Sequence, residues 1–561
     1  MEMNYDENTL HEIEQELHIP IYPGTEIMAD VGSHHFVKAS DHAHHVLVPQ
    51  PSDNPNDPLN WSRGWKTSAM ICATAVSFAQ GMGPLSLAPM FPELIEAFDS
   101  NLTDAVQFTG VAILVLGFSN FIWVPIATSF GRRPVYIFST IICLASMIWR
   151  AQAKTYGSFM GACILNGIGS GPAETAQPTV IADMMFLHDR GAYNTLYFCF
   201  YFGSLMVGPI IAGPMAYHTS WRDFWWLNVA LHGVILIMVI FGLPETKWHR
   251  RHPDEVIVAT TVPSSEKVDV DMIESTDPEK ANPPNARSTI TQGLADLTPE
   301  ATAQRDPFLG KGYPSKKQFA LFQPNSHPFR SIIIDLWTPW KLFAFPIIEF
   351  AAFVVSWSAA SFLTLNLTQS ENFAAPPYNF SSQTIGFFNF ATLIGAIIGL
   401  VTNGPLSDWI SMKATMRNRG IREPEMRLPT LIPYTIIMLI GNFIVAFGYQ
   451  YKWDWRIIVI LGYTATGIQV AAIPSIASTY AVDSYKPVAG SIFVAITVNK
   501  NVWGYGFSKF ITPWVEKDGY VPPIMTNMCL VFLFCATGVI FYYRFGKWCR
   551  KVTKDSGVHK M

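Results

Sequence analysis

Charged residues are scarce in this chain. Lys, Arg, Asp and Glu make up 14% of its 561 residues, where a soluble chain of this length carries about 25%. So little charge excludes an ordinary globule whose whole surface faces water, and half of the residues are apolar or aromatic. A net charge of −4 without a basic stripe offers no footprint for nucleic acid. Cysteine is sparse as well. Cys72, Cys143, Cys163, Cys199, Cys529 and Cys535 sit inside apolar runs and only Cys549 does not. None has metal-ligand spacing, so they read as small core or lipid-facing residues rather than a disulfide framework. The N-terminus is acidic and polar with no apolar core segment, so no cleavable signal peptide is expected and the first apolar helix serves as the insertion signal. No metal-binding His/Glu cluster or nucleophile motif falls within the apolar runs, which argues against an intramembrane enzyme. No cofactor or metal is expected.

What the chain has instead is long apolar segments. A spanning helix needs about 20 mostly apolar residues. Twelve stretches qualify, at 66–90, 106–129, 134–153, 157–183, 193–216, 223–243, 341–364, 382–404, 429–449, 456–481, 487–512 and 522–544. Several are rich in Gly and Pro, which membrane helices tolerate. With both termini placed in the cytoplasm, 30 of the 38 Lys and Arg fall inside. Arg150, Lys154, Arg222, Lys452, Arg456 and Lys517 fall outside, and Lys500 and Lys509 lie within a span. The short loops lean the same way, as the positive-inside rule requires. Asn-X-Ser/Thr sequons at Asn101, Asn366 and Asn379 then face outward as glycosylation candidates, with Asn366 close to the bilayer, while the one at Asn60 faces the cytoplasm and stays bare.

Residues 1–65 and 244–340 are polar, Pro/Ser/Thr-rich and aperiodic, which predicts a disordered N-terminal tail and a disordered cytoplasmic central loop. They bracket an N-terminal six-helix bundle at 66–243. A C-terminal bundle at 341–544 and a short tail at 545–561 follow. The His34, His35, His42, His44 and His45 tract reads as a solvated segment rather than a metal site, because ordering a loose tail around an ion costs entropy. An internal repeat supports the division into six plus six. Gly167, Ile168, Thr179 and Asp183 of the fourth span recur 300 positions later as Gly467, Ile468, Thr479 and Asp483 of the tenth.

The loops carry a split signature. After the second span stand Gly131, Arg132, Arg133 and Pro134, preceded by Val124 and Thr128; after the eighth stand Gly404, Leu406, Asp408 and Lys413, with Ser411 between. Together these resemble the G-x-L-x-D-x-x-G-R-[RK] loop of the major facilitator superfamily, each half keeping the part that the other has lost. The physical sense is a tight turn plus charges that latch helix ends on the cytoplasmic side. Ser204, Gly208, Pro209, Ala212 and Gly213 of the fifth span resemble that family's antiporter motif, G-x-x-x-G-P-x-x-G-G, although small residues at this spacing also serve close helix packing. Pro49–Trp61, Gly171–Glu174, Leu187–Gly191 (with Arg190) and Glu423–Leu428 resemble fungal transporters of the drug:proton antiporter-1 type, which include polyamine and cation carriers alongside toxin and metabolite exporters. The resemblance covers nearly all of residues 50–545. It implies an all-α membrane protein of the major facilitator fold, with 12 transmembrane helices in two six-helix bundles that alternate access to one central site. One departure matters: Cys163 stands where such proteins often have an Arg, so no proton-relay role carries over to that position.

Intramembrane charges are functional candidates by default, since each costs several kcal/mol near the bilayer centre. Counting from the expected cytoplasmic helix ends at 1.5 Å per residue, Glu174 lies ~16 Å deep, Glu349 ~12 Å and Lys500 ~20 Å. Asp183 and Asp483 lie at helix ends and read as latches. Gln80, Gln177, Tyr197, Trp357, Asn389, Gln469, Asn499 and Trp503 could line a pocket or simply pack helices. The acids could carry a proton, bind a cationic substrate or pair with Lys500. The leading expectation is a proton-coupled efflux pump for small organic compounds such as toxins, drugs or fungal metabolites. It would act as a monomer in the plasma membrane, with the vacuolar membrane as the alternative. An uptake carrier for polyamines or other organic cations is the second reading, and a non-transporting membrane sensor the third.

Overall fold

The computed structural model describes residues 25–27, 51–52, 54–248, 308–325, 327–418, 421–485 and 488–553. Among them twelve spanning helices form two sets of six. The first set is α1 (Arg63–Leu85), α2 (Leu102–Phe130), α3 (Arg132–Gln152), α4 (Tyr156–Ser170 continuing as Pro172–Met184), α5 (Leu187–His218) and α6 (Trp221–Gly242). The second is α7 (Pro346–Ala374), α8 (Ser382–Arg417), α9 (Leu431–Gln450), α10 (Trp455–Ser484), α11 (Ala489–Asp518) and α12 (Val521–Ile540). Local signals set several ends. The Asn101 side chain accepts the Asp104 amide at 2.8 Å and starts α2, while Gly131 at φ 110° stops it, a conformation that disfavours any side chain. Pro172 breaks α4 into two pieces, because it has no N–H to donate.

Ten helices are long and apolar enough to cross a membrane by themselves. The two that are not are α4 and α11, and these carry Glu174 and Lys500. α4 falls short because it is split into pieces of 15 and 13 residues, whereas α11 can be less apolar where protein rather than lipid covers it. The opposite holds for α6, α9 and α12, whose exposed Phe241, Ile440 and Leu533 form the lipid-facing wall.

The halves meet along two seams, α5 against α8 and α2 against α11. A Cβ at Gly386 would stand 2.8 Å from the Pro209 carbonyl, and one at Gly213 would collide with the Ser382 carbonyl. In the other seam a Cβ at Gly117 would stand 2.7 Å from the Asn501 side chain. Hydrogen bonds tie the outer ends together: Ser382 to Glu93 at 2.5 Å, His218 with Gln383 at 3.0 Å, and Gln107 to the Ser508 carbonyl at 3.1 Å.

Several sequence expectations change here. The seventh span starts at Pro346 rather than 341, after a separate helix at Pro328–Leu342. The eighth runs on to Arg417, so Gly404–Lys413 lies inside a helix and makes no turn. Residues 54–62 and 308–320, expected to be disordered, are folded onto the inner face, the one that Lys and Arg content assigns to the cytoplasm. Trp61 is fully buried there, its indole donating to the Asn56 carbonyl at 3.0 Å, and Gln318 donates to the same carbonyl at 3.0 Å. Composition averaged over a long polar segment hides such short anchored pieces. A two-residue strand β1 (Glu26–Ile27) pairs antiparallel with β2 (Ile421–Arg422). The histidine tract and residues 249–307 lie outside the described residues. Asn366 is fully buried in the middle of α7, so it is no glycosylation site, whereas Asn101 and Asn379 are exposed.

Two outcomes test this packing. Gly386→Val should lower the thermal unfolding temperature in detergent, since overpacking costs about 1–3 kcal/mol; an unshifted transition would mean that α5 and α8 do not approach so closely. Asn366→Gln should leave gel mobility unchanged, so any glycan-sensitive shift must come from Asn101→Gln or Asn379→Gln.

Candidate functional site

A cavity of about 1090 Å³, its open mouth included, lies between the two halves. Its walls come from α1, α2, α4, α5, α7, α10 and α11. Among the described residues α3, α6, α9 and α12 contribute nothing to them, which makes these four the scaffold. The lining is mostly apolar: Leu116, Phe198, Phe202 and Leu205 face Val355, Phe362, Val470 and Ile496. Among the described residues that line it, charge enters at one point.

That point is Glu174. Its place in the first turn of the second α4 piece puts the carboxylate at a helix N-terminus, where the helix dipole favours a negative group. Lys500 of α11 donates to Oε1 at 2.5 Å, the Tyr201 hydroxyl of α5 donates to the same oxygen, and Asn501 reaches Oε2 at 3.5 Å. The Glu174 side chain is 6% exposed and that of Lys500 18%. The pair therefore joins the N-terminal half to the C-terminal half inside the cavity. Tyr201 and Asn501 are themselves 300 positions apart, the same offset as the internal repeat, so the two halves present equivalent positions to one carboxylate. The neighbouring Thr175 hydroxyl donates to Asn120 of α2 at 2.7 Å, which fixes how this turn faces α2.

Of the other candidates, Tyr197 lines the cavity and donates to the Ala173 carbonyl at 2.8 Å. Gln80 donates to Ser139 and Gln177 to Thr74, both buried within the first half. Asn389 donates to Gln369, and Gln469 joins Asn442 to Ser358, within the second. Asn499 accepts from Ser356. Trp357 and Trp503 pack ring to ring at 4.9 Å outside the cavity wall. All seven hold helices together. Glu349 does not join Glu174: α7 begins at Pro346, so this residue sits in the first turn, half-buried, with Oε1 unbonded among the described residues. Sequence reasoning missed Tyr201 and Asn501. The repeat offset from Lys500 and its neighbours was the signal that could have found them.

The inner face carries two equivalent ion pairs. Arg132 meets Asp183 at 3.0 Å in the first half, and Arg427 meets Asp483 at 2.9 Å and Asp408 at 3.4 Å in the second. Arg190 donates to the carbonyls of Ala182 and Met185 at the end of α4. Lys413 lies over the Trp409 ring instead. Arg133 donates to the Ile240 and Leu243 carbonyls that end α6. Glu245, just beyond α6, accepts the amides of Arg132 and Arg133 at 2.9 and 3.0 Å and so caps α3.

The family model of the Major Facilitator Superfamily matches residues 69–507. An uncharacterised MFS-type transporter of Schizosaccharomyces pombe is 26% identical, covering 90% of this chain and 89% of its own. The efflux pump radE of Floropilus chiversii is 23% identical, covering 88% and 82%. A partially occluded inward-open structure of the xylose transporter XylE from E. coli superposes with a TM-score of 0.54 at 12% identity, over 85% of this chain and 99% of that one, a likeness of fold alone.

Breaking a buried ion pair by removing one partner strands the other charge, at a cost of about 3–5 kcal/mol. Lys500→Ala should therefore lower thermal stability sharply, and adding Glu174→Gln should recover much of the loss. Additive losses in that double-mutant cycle would mean that the two groups are uncoupled.

Proposed function

The chain belongs to the major facilitator superfamily and is a secondary membrane transporter, and from that premise we propose that it is a proton-coupled exporter of small organic compounds. The observation that carries this reading is the Glu174–Lys500 pair, which joins the two halves within an otherwise apolar cavity. A carboxylate that must be charged to hold its ammonium partner is a switch. Protonation of Glu174 removes the negative charge, releases Lys500 and loosens the link between halves; deprotonation restores it. A proton arriving from outside and leaving inside would thereby be linked to the change of access. The apolar walls would hold the body of an amphiphilic compound, burial of apolar surface supplying most of the affinity. Such a transporter would work as a monomer in the plasma membrane.

The cavity chemistry weighs against polyamine uptake. A polyamine carries several positive charges, while Glu174 is the one acid that lines the cavity among the described residues, and Lys500 already occupies it. The name of radE, an efflux pump, supports export.

In proteoliposomes Glu174→Gln should abolish flux driven by a pH gradient while substrate counterflow persists. Undiminished gradient-driven flux would remove Glu174 from the coupling step. Loss of the gene should sensitise its host to the exported compound; resistance to toxic polyamine analogues would instead establish uptake.

A further inference from the structure

The helix at Pro328–Leu342 packs against α2 of the first half and α11 of the second, so it crosses the seam between them on the inner face. The chain just before it is bonded to the end of α2. The Gln323 amide donates to the Phe130 carbonyl at 2.8 Å, the Asn325 amide to the Ser129 carbonyl at 3.0 Å, and the Asn325 side chain to the Thr128 carbonyl at 3.2 Å. These are carbonyls that a helix end leaves without intrahelical partners, and the linker satisfies them. Further along, the Trp340 ring stacks on Phe121 of α2 at 5.0 Å, and Phe343 packs into a cluster with Phe121, Val494 and Val498, the last two from α11.

Between these contacts stands Asp335. The Thr128 hydroxyl of α2 donates to its Oδ2. Burial pushes its carboxyl above the ordinary aspartate value, while the Thr128 bond and the nearby Arg132 and Lys247 cations pull the other way. Thr128 occupies the place where the resembled loop signature has an Asp. The carboxylate absent from that position thus arrives in space from the linker.

The geometry points to Asp335 as a positioning residue of the transport cycle: carried by the linker helix, it supplies the carboxylate that the α2–α3 loop lacks and holds the inner end of α2 against α11. The linker is then a clasp between the halves. Its attachment sets how readily this seam parts, whichever compound is carried and in whichever direction.

The test reads the seam directly and needs no substrate. Val494 is buried in it. In the full-length protein in native membranes, Val494→Cys would be exposed to a maleimide and labelling at that residue quantified by mass spectrometry. Asp335→Asn should raise the labelling rate about tenfold, since a hydrogen bond to a charged group is worth roughly that factor or more in a two-state equilibrium. Asp335→Glu should stay near the parent rate. Thr128→Asp combined with Asp335→Thr moves the carboxylate back onto α2 and should return labelling towards the parent rate, whereas Thr128→Asp alone places two carboxylates together and should raise it. Parent-rate labelling in Asp335→Asn, or a combined variant as labile as Asp335→Asn, would overturn the proposal. Should Asp335→Asn fail to accumulate in the membrane, Trp340→Ala cuts the same clasp at its other attachment; an unchanged rate there would equally overturn it. Because no transport is measured, failure of the coupling role given to Glu174 leaves this result standing.

Discussion

A carboxylate and an ammonium meet 2.5 Å apart in the membrane-spanning layer, and much of the architecture follows from having to keep them there. Each charge alone would be costly in a medium that cannot solvate it. Together, with Tyr201 and Asn501 on the carboxylate, they are satisfied. Holding that cluster demands helices from both halves at one point. It also demands that the helices bearing the charges, α4 and α11, be shielded from lipid by others. The division into seven cavity helices and four scaffold helices, with α8 closing one seam, meets that demand.

The seams bring the backbones of the two halves close together. They are built from small residues where backbones nearly touch, at Gly213 against Ser382 and at Gly386 against Pro209. Contacts of this kind can part without leaving buried side-chain polar groups behind. Other ion pairs lie within each half, where Arg132 meets Asp183 and Arg427 meets Asp483 on the inner face. Rigid halves joined by separable seams suit a molecule that alternates access, because packed units shift between discrete arrangements rather than deform.

The loop signature shows how a pattern in sequence can mislead about geometry. Gly131 turns the chain at φ 110°, as the first copy suggested. Its counterpart in the second copy, Ser411, is buried within a continuous helix, so that copy keeps its Asp408 charge without the turn. Helical periodicity does not announce where a helix stops when both sides of the boundary are helix-compatible. Glu349 misled for the same reason. Its depth was counted from residue 341, but Pro346 starts a new helix and leaves the carboxyl near the end.

The sequence by itself determined the number and order of the spanning segments, the twofold repeat at an offset of 300, and the three ionisable groups worth attention. Apolar length and residue type suffice for these, because the bilayer imposes them on each segment separately. Only the tertiary structure decided which of those groups meet. Glu174 and Lys500 are 326 positions apart, and a position along a helix gives depth but neither the direction a side chain points nor the helix it faces. Asp335 was invisible for the same reason: it matters through a partner on another element, and packing alone brings the two together.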